Sequence, residues 1–410
     1  MSAEETSSFG ARIAQLRKDR GMTQEELATR VGRTASWLSQ VERNIQPVTR
    51  LDVLQLLADA LGVAMQALRP DVPLSPAAAP PTQEGPNDLD GARLLLSGHP
   101  ALNILLGDDS APATALPELR AAVDEVWELT HAARFGELSS RLTDVVPQLE
   151  RAARTLPAPE RPEALRLLAR TYQALAAAFV RQNEADAAWV AADRSIQAAE
   201  QSGQPLDVCA GIYRLAQAFV RLRRLDQAEH AARTAVEALN RRAATVPASP
   251  EQLSVTGALH LVLALVYARS GQRAGARSEI ESARVLARQT GDRNDFNLEF
   301  GPTNVEIQAV SAAVDLGDAG EALDIGASID ARGLSAERQA RLLMDMGRAH
   351  AQRRHPGDAL DCLLRAEALA PETIRTHVAA RATIRELVLI TGRSASPELL
   401  ALAARADSAG

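Results

Sequence analysis

The sequence predicts an all-α protein, a small helix-turn-helix unit followed by an array of helix pairs, on three observations. Residues 21–47, GMTQEELATRVGRTASWLSQVERNIQP, read as two short helices joined by one glycine turn. Hydrophobic content is 46% with only 3% aromatic, so the core is built from Ala and Leu, which favours close-packed helices. From Leu175 onward a pattern of one aromatic and two small residues recurs along the chain.

Thr23 with Glu26 three residues later is a capping box, which starts a helix at about Gln24. Leu27 and Val31 lie on its inner face, and Ala28 is small enough for a second helix to cross closely. Gly32 supplies the left-handed backbone that a sharp turn needs. Thr34 caps a second helix, in which Leu38 and Val41 give an apolar spacing toward the first. Its other face carries Ala35, Ser36, Trp37, Ser39, Gln40 and Arg43, none of which a core demands. Polar side chains on a helix that fits the major groove suit base-edge reading, Gln pairing with adenine and Arg with guanine.

This segment resembles the lambda-repressor-like, xenobiotic-response-element family of helix-turn-helix domains, with Ala28, Gly32, Leu38 and Val41 at its packing positions. The resemblance implies phosphate contact by Gln24, base contact by Ala35, Ser36 and Gln40, and flanking contacts by Arg33, Trp37 and Arg43. Thr34 and Ser39 complete the expected DNA-facing set. Asn44 stands where the family usually has Gly, and Asn tolerates that left-handed position.

Phe9, Ile13 and Leu16 make a preceding helix that ends near Gly21. Thr49 with Asp52 caps a fourth through Val53, Leu54, Leu57 and Leu61, and LGVAMQAL from Leu61 to Leu68 suggests a short fifth. Residues 1–69 thus form one domain. Within residues 9–50 there are eight basic and four acidic groups, +4, which leaves −11 for the rest of a chain whose net charge is −7. Charge that suits phosphate is therefore confined to the N-terminal domain.

Residues 70–86, with six prolines and no helical pattern, read as an extended linker. Short helices are expected at Leu89–Leu96 and Ala101–Leu106, before a long helical region, the whole of 87–410 forming the second domain. Aligning LAAAFVRQNEADAAWVAADRS, LAQAFVRLRRLDQAEHAARTA and LALVYARSGQRAGARSEIESA superposes Phe179, Phe219 and Tyr267. Ala188, Ala228 and Ala276 follow, then Ser195, Ala235 and Ala283.

The pattern resembles the tetratricopeptide repeat, a helix pair in which small residues admit close packing and the aromatic plugs the gap. Gly347, Ala359, Ala366 and Pro371 fit it best, and weaker copies bring the expected count to seven pairs. The steps from Ala188 to Ala228, Ala276, Ala322 and Ala359 are 40, 48, 46 and 37 residues, so helices longer than standard or inserted loops are expected. The chain as a whole resembles bacterial regulators that join a repressor-type domain to such repeats. Some relatives sense peptides or small metabolites on the concave face.

First helices line that face, so a residue recurring once per repeat makes a stripe. Arg181, Arg221 and Arg269 do so, and Tyr213, Gln217, Asn304 and Arg348 are expected to face the same space. Such an arginine ladder suits a carboxylate, on a peptide or an acidic metabolite, through bidentate hydrogen bonds. The competing reading is a salt-bridged helix face in an arginine-rich protein. Trp127 and Trp189 fit core or repeat-interface packing.

Cys209 and Cys362 are far apart and read as buried apolar residues, with neither a disulfide framework nor a zinc site suggested. The seven histidines show no metal-ligand spacing, so no metal and no cofactor are expected. No signal pattern precedes the first helix, and the apolar run Ala258–Ala268 is too short to span a bilayer, so a cytoplasmic protein without a membrane partner is expected. P-loop, dinucleotide and nucleophile-elbow patterns are missing, which argues against an enzyme. The resulting expectation is a transcriptional regulator acting as a homodimer on near-palindromic double-stranded DNA, with a peptide or small-molecule effector in the repeats. The rival is a protein-interaction scaffold that its N-terminal domain localises to DNA.

Overall fold

The capping box at Thr23 forms as the sequence predicts: the Glu26 backbone N–H donates to Thr23 Oγ1 at 3.2 Å, and the Thr23 N–H to Glu26 Oε2 at 2.7 Å. The computed structural model describes residues 9–31, 33, 35–44, 48, 51–63, 68, 88–98, 106 and 114–407. The expected turn at Gly32, caps at Thr34 and Thr49, linker 70–86 and most of the helix Ala101–Leu106 lie outside the described residues, as do residues 64–67 of the fifth helix. Among the described residues there is no strand, only an isolated bridge between Arg293 and Phe300. The fold is all-α.

Tight contact divides the chain into two units, residues 1–80 with 379–410, and residues 81–378. In the first, α1 (Phe9–Asp19), α2 (Gln24–Arg30), α3 (Ala35–Glu42) and α4 (Leu51–Leu61) surround a core of Ile13, Leu27, Leu38, Val41, Leu54 and Leu57, all fully buried. A Cβ on Gly10 would sit 2.3 Å from the Val41 carbonyl, so glycine is what lets α1 meet the backbone of α3. Leu389 joins this core from the C-terminal stretch, whose sequence pattern reads as a last repeat but which groups by contact with residues 1–80.

The second unit begins with α5 (Asp90–Ser97) and continues as antiparallel pairs. The pairs are α6/α7 (Leu116–His131, Phe135–Thr155), α8/α9 (Arg161–Arg181, Ala185–Ser202) and α10/α11 (Pro205–Arg221, Leu225–Ala243). They continue as α12/α13 (Pro250–Arg269, Arg273–Thr290), α14/α15 (Pro302–Leu316, Ala319–Ala327) and α16/α17 (Ala336–Gln352, Pro356–Leu369). α18 (Pro371–Thr376) follows, so six pairs stand in this unit. α19 (Val378–Thr391) and α20 (Pro397–Asp407) come next in the chain, and residues from 379 on group with the first unit, where the sequence pattern leads one to expect a seventh pair of the array.

The aligned small residues Ala188, Ala228, Ala322 and Ala359 are all 0% exposed, which is the close packing the repeating pattern predicts. Phe179 plugs its pair at 0% exposure. Irregular spacing has both expected causes. First helices reach 21 residues in α8 and 20 in α12, and an eleven-residue connection with a 3-10 turn at Asp295–Asn297 separates the fourth pair from the fifth. Helix α12, taken whole, is long and apolar enough to cross a bilayer, unlike the run Ala258–Ala268 alone; 78% of its apolar window is buried among the other helices. Cys209 and Cys362 are free and buried.

Candidate functional site

The first candidate surface is the outward face of α3. Leu38 and Val41 turn inward at 0% exposure, which fixes the helix and leaves Ser36 and Arg43 exposed and Ala35, Ser39 and Gln40 partly so. Trp37 is half-buried against the core, with the Arg33 guanidinium 5.7 Å from its ring centre, a cation–π contact that ties the two flanking residues together. Asn44 takes the left-handed conformation at φ 58, as the sequence predicts for a glycine-like position, and its Oδ1 accepts from the Gly10 N–H at 2.8 Å. Thr34 lies outside the described residues.

Two residues with no part in the sequence reading hold α3 in place. Arg17 donates to Glu42 through Nε at 2.6 Å and Nη2 at 3.1 Å, and to the Met22 carbonyl at 2.7 Å. Gln24 Nε2 also donates to Glu42, at 2.7 Å. Burial pushes the Glu42 carboxyl up, but Arg17 and Gln24 outweigh it and hold the group below its ordinary value.

The second candidate site lies on the common face of the first helices in residues 81–378. Here the ladder residues come together, with company. Arg269 Nε and Arg348 Nη2 both donate to Asp315, at 3.1 and 2.6 Å, and Arg348 Nη1 to Asp345 at 2.8 Å. Arg181 donates to the Thr130 carbonyl and lies 3.8 Å from Glu337, which also pairs with Arg341 at 3.0 Å. Gln217 donates to the Tyr213 hydroxyl at 2.8 Å. Asn304 is 3% exposed, and its Oδ1 has no hydrogen-bond partner among the described residues.

Arg214, Arg338 and Arg341 belong to this network and escaped the once-per-repeat stripe. A signal for two of them existed: Arg214 precedes Arg221, and Arg341 precedes Arg348, by seven residues, which is two helical turns on one face. Arg214 donates to the Asn297 carbonyl at 2.9 Å, and Arg338 to Glu299 at 2.9 Å and to the Leu298 carbonyl at 3.3 Å. The connection that presents these acceptors has left-handed backbone at Phe296, Asn297 and Glu299, a strain retained where surroundings over-determine it. Arg214 also lies over Trp127, 5.4 Å from its ring centre, so Trp127 is core on one side and network on the other. Trp189 is 48% exposed and packs against Phe219 with its ring tilted, centroids 5.7 Å apart, a contact between successive pairs.

Charge in this network does not balance. Seven guanidiniums, of Arg181, Arg214, Arg221, Arg269, Arg338, Arg341 and Arg348, meet four carboxylates, of Glu299, Asp315, Glu337 and Asp345. Arg221 makes no hydrogen bond or ion pair among the described residues, and burial with the nearby Arg341 and Arg269 pulls its pKa down to about 10. Burial lowers Arg214 to about 10 as well, chiefly by desolvation. Burial raises Glu337, yet Arg341, Arg181 and Arg338 together hold it well below the usual carboxylate range. The arrangement is partly the salt-bridged face and partly a surplus of positive charge.

Comparison with known proteins bears chiefly on the first surface. Residues 8–72 match the family model of a helix-turn-helix domain. Over 60 residues, 15% of the chain, the sequence is 37% identical to the HTH-type transcriptional regulator SinR of Bacillus subtilis (strain 168). The same figures hold for SinR of Bacillus licheniformis. The alignment takes in 54% of each, so the chain spans about half the length of the curated relatives it matches. Among solved structures, Bacillus thuringiensis PlcR in complex with the peptide PapR7 and DNA aligns with a TM-score of 0.37 and 11% identity, over 92% of this chain and 99% of that one. The N-terminal segment is a helix-turn-helix domain, and helical repeats follow it.

Proposed function

We propose that this chain is a cytoplasmic, non-enzymatic transcriptional regulator whose domain 1–69 reads double-stranded DNA and whose repeats, reached through the linker 70–86, dimerise and take up an anionic effector. One observation carries the first part: α3 buries Leu38 and Val41 and leaves Ser36, Gln40 and Arg43 on the side away from the core, with Glu42 clamped beneath. A helix held so, with polar ends free, presents donors and acceptors to base edges in the major groove. The likeness of residues 8–72 to helix-turn-helix domains, and of this stretch to SinR, supports the same reading. Ala35, Ser36 and Gln40 would meet bases, Arg33, Trp37, Ser39, Arg43 and Asn44 the flanks, and Gln24 with Thr34 the phosphates.

A single small domain usually gains too few contacts for specific binding, so two copies would read a near-palindrome with half-sites roughly 10 base pairs apart. The unpartnered Arg221 and its surplus of arginine neighbours support an anionic effector, a peptide carboxylate or a small acid. Such a ligand shifts the balance between operator-competent and incompetent arrangements by its unequal affinity for the two.

Selection of genomic fragments by the full chain tests the reading, followed by Gln40→Ala on the best fragment. Loss of a base contact is worth about 1–3 kcal/mol, so operator affinity should fall about tenfold or more while binding to random DNA hardly changes. Equal losses on both would refute base reading by this helix.

A further inference from the structure

Each described first helix of the repeats from the second pair to the fourth ends in the same way. A left-handed residue, Asn183, Arg223 or Gly271, turns the chain, and the next N–H reaches back to the carbonyl of the plugging aromatic: Glu184 to Phe179, Arg224 to Phe219, Gln272 to Tyr267, at 2.8–2.9 Å. This is the Schellman closure, which brings the side chains at the two ends of that bond together. The sixth pair closes identically, with Arg354 at φ 64 and the His355 N–H donating to the His350 carbonyl at 3.0 Å. Here both ends of the bond are histidines.

His350 therefore occupies the place of Phe179, Phe219 and Tyr267, nine residues before the invariantly small Ala359 position. An imidazole is a poor plug unless its nitrogens are satisfied. Tyr267, the other polar plug, donates its hydroxyl to Glu229 at 2.7 Å. His350 Nδ1 is buried with no hydrogen-bond partner among the described residues, and stands 3.9 Å from Asp358 Oδ2. His355 caps α17 without using its side chain, and its ring centre lies 6.1 Å from that of His350. One ligand atom from each of His350, His355 and Asp358 lies within 4.8 Å of the other two.

We propose that His350, His355 and Asp358 bind a divalent transition-metal ion of the zinc class. Two imidazoles and one carboxylate suit zinc, cobalt, nickel or copper over calcium and magnesium, which prefer all-oxygen sets. His355 and Asp358 are exposed, so their side chains can close the remaining distance onto the anchored His350. Water completes the coordination. Bound metal satisfies the buried Nδ1 and ties the last turn of α16 to the first turn of α17, so the plug of this pair becomes a metal clasp instead of an apolar ring.

The test uses the full chain, stripped with a chelator and titrated with Co²⁺. A visible absorption band of a low-symmetry site should grow to one equivalent and be displaced by Zn²⁺. His355→Ala and Asp358→Asn should each abolish or greatly weaken it. His350→Phe, which restores the plug of the second and third pairs, should keep the helical circular dichroism and lose the band. Absence of a band in the unaltered chain, or a band of equal strength in His350→Phe, overturns the site.

Discussion

Arg17 on α1 grips Glu42 at the end of α3 with two guanidinium nitrogens, at 2.6 and 3.1 Å, and the two side chains are only 10% and 7% exposed. The pair ties the end of α3 to α1.

Removal of one partner leaves the other charged and buried. Arg17→Ala should destabilise the domain by about 3 kcal/mol, the usual cost of breaking a buried pair, and free Gln24 from its anchor on Glu42. Urea unfolding of the full chain followed by the fluorescence of Trp37, with Trp127 and Trp189 replaced by phenylalanine in both the reference and the variant, would report it. A loss under about 1 kcal/mol would mean that the pair behaves as an exposed one.

The charge imbalance around Arg221 predicts an anion effect of a specific kind. Inorganic phosphate, compared with chloride at matched ionic strength, should raise the melting temperature of the full chain, by about 1.4 kcal/mol of stabilisation at ten times the dissociation constant. Arg221→Gln should erase the difference, whereas general salting effects would survive in the variant. Survival of the full difference would remove Arg221 from any anion site.

Acid should weaken residues 81–378 over a defined window. Burial, helped by the positive charge of Arg181, lowers His131 to about 4 from an ordinary 6.5. A histidine depressed in the folded state contributes stability that is fully present above pH 6.5 and is lost as pH falls toward about 4, because the unfolded chain takes the proton first. His131→Gln should flatten the slope of stability against pH in that interval. Burial likewise, with Arg221 and Arg341, keeps His377 neutral well below its usual range, so the slope should be reduced and not removed.

Gly257 on α12 packs against the ring of Phe300, and a Cβ there would lie 2.0 Å from Cζ of that ring. Phe300 is 1% exposed and pinned by the bridge to Arg293. Gly257→Ala should therefore destabilise by about 1–3 kcal/mol despite the better helix propensity of alanine, measured by thermal unfolding. Gly257→Ala with Phe300→Leu should recover part of the loss.

What the sequence discloses follows the range of the interaction. The cap at Thr23, the inward pair Leu38 and Val41, the small residues at Ala188, Ala228 and Ala359, and the left-handed Asn44 each depend on neighbours within a few residues or on a repeating period. All are legible. The clamp of Arg17 on Glu42 joins residues 25 apart with no period, and the acceptors for Arg214 and Arg338 come from an irregular connection more than 35 residues away. The ladder residues were legible as a stripe because they recur, while their carboxylate partners, Asp315 and Glu337, sit in other pairs and recur nowhere. The grouping of residues 379–410 with residues 1–80 has no local signal at all.

Open-ended arrays of helix pairs touch only their neighbours and so can unravel from either tip, one unit after another. In this protein Arg181 of the second pair reaches Glu337 of the sixth, and Arg214 of the third reaches the strained connection before the fifth. These bonds between non-successive units couple the melting of distant pairs. Residues 81–378 should accordingly unfold in a single sharp transition, and truncating the sixth pair should loosen the second, a behaviour nearer to that of a globular core than of a spring.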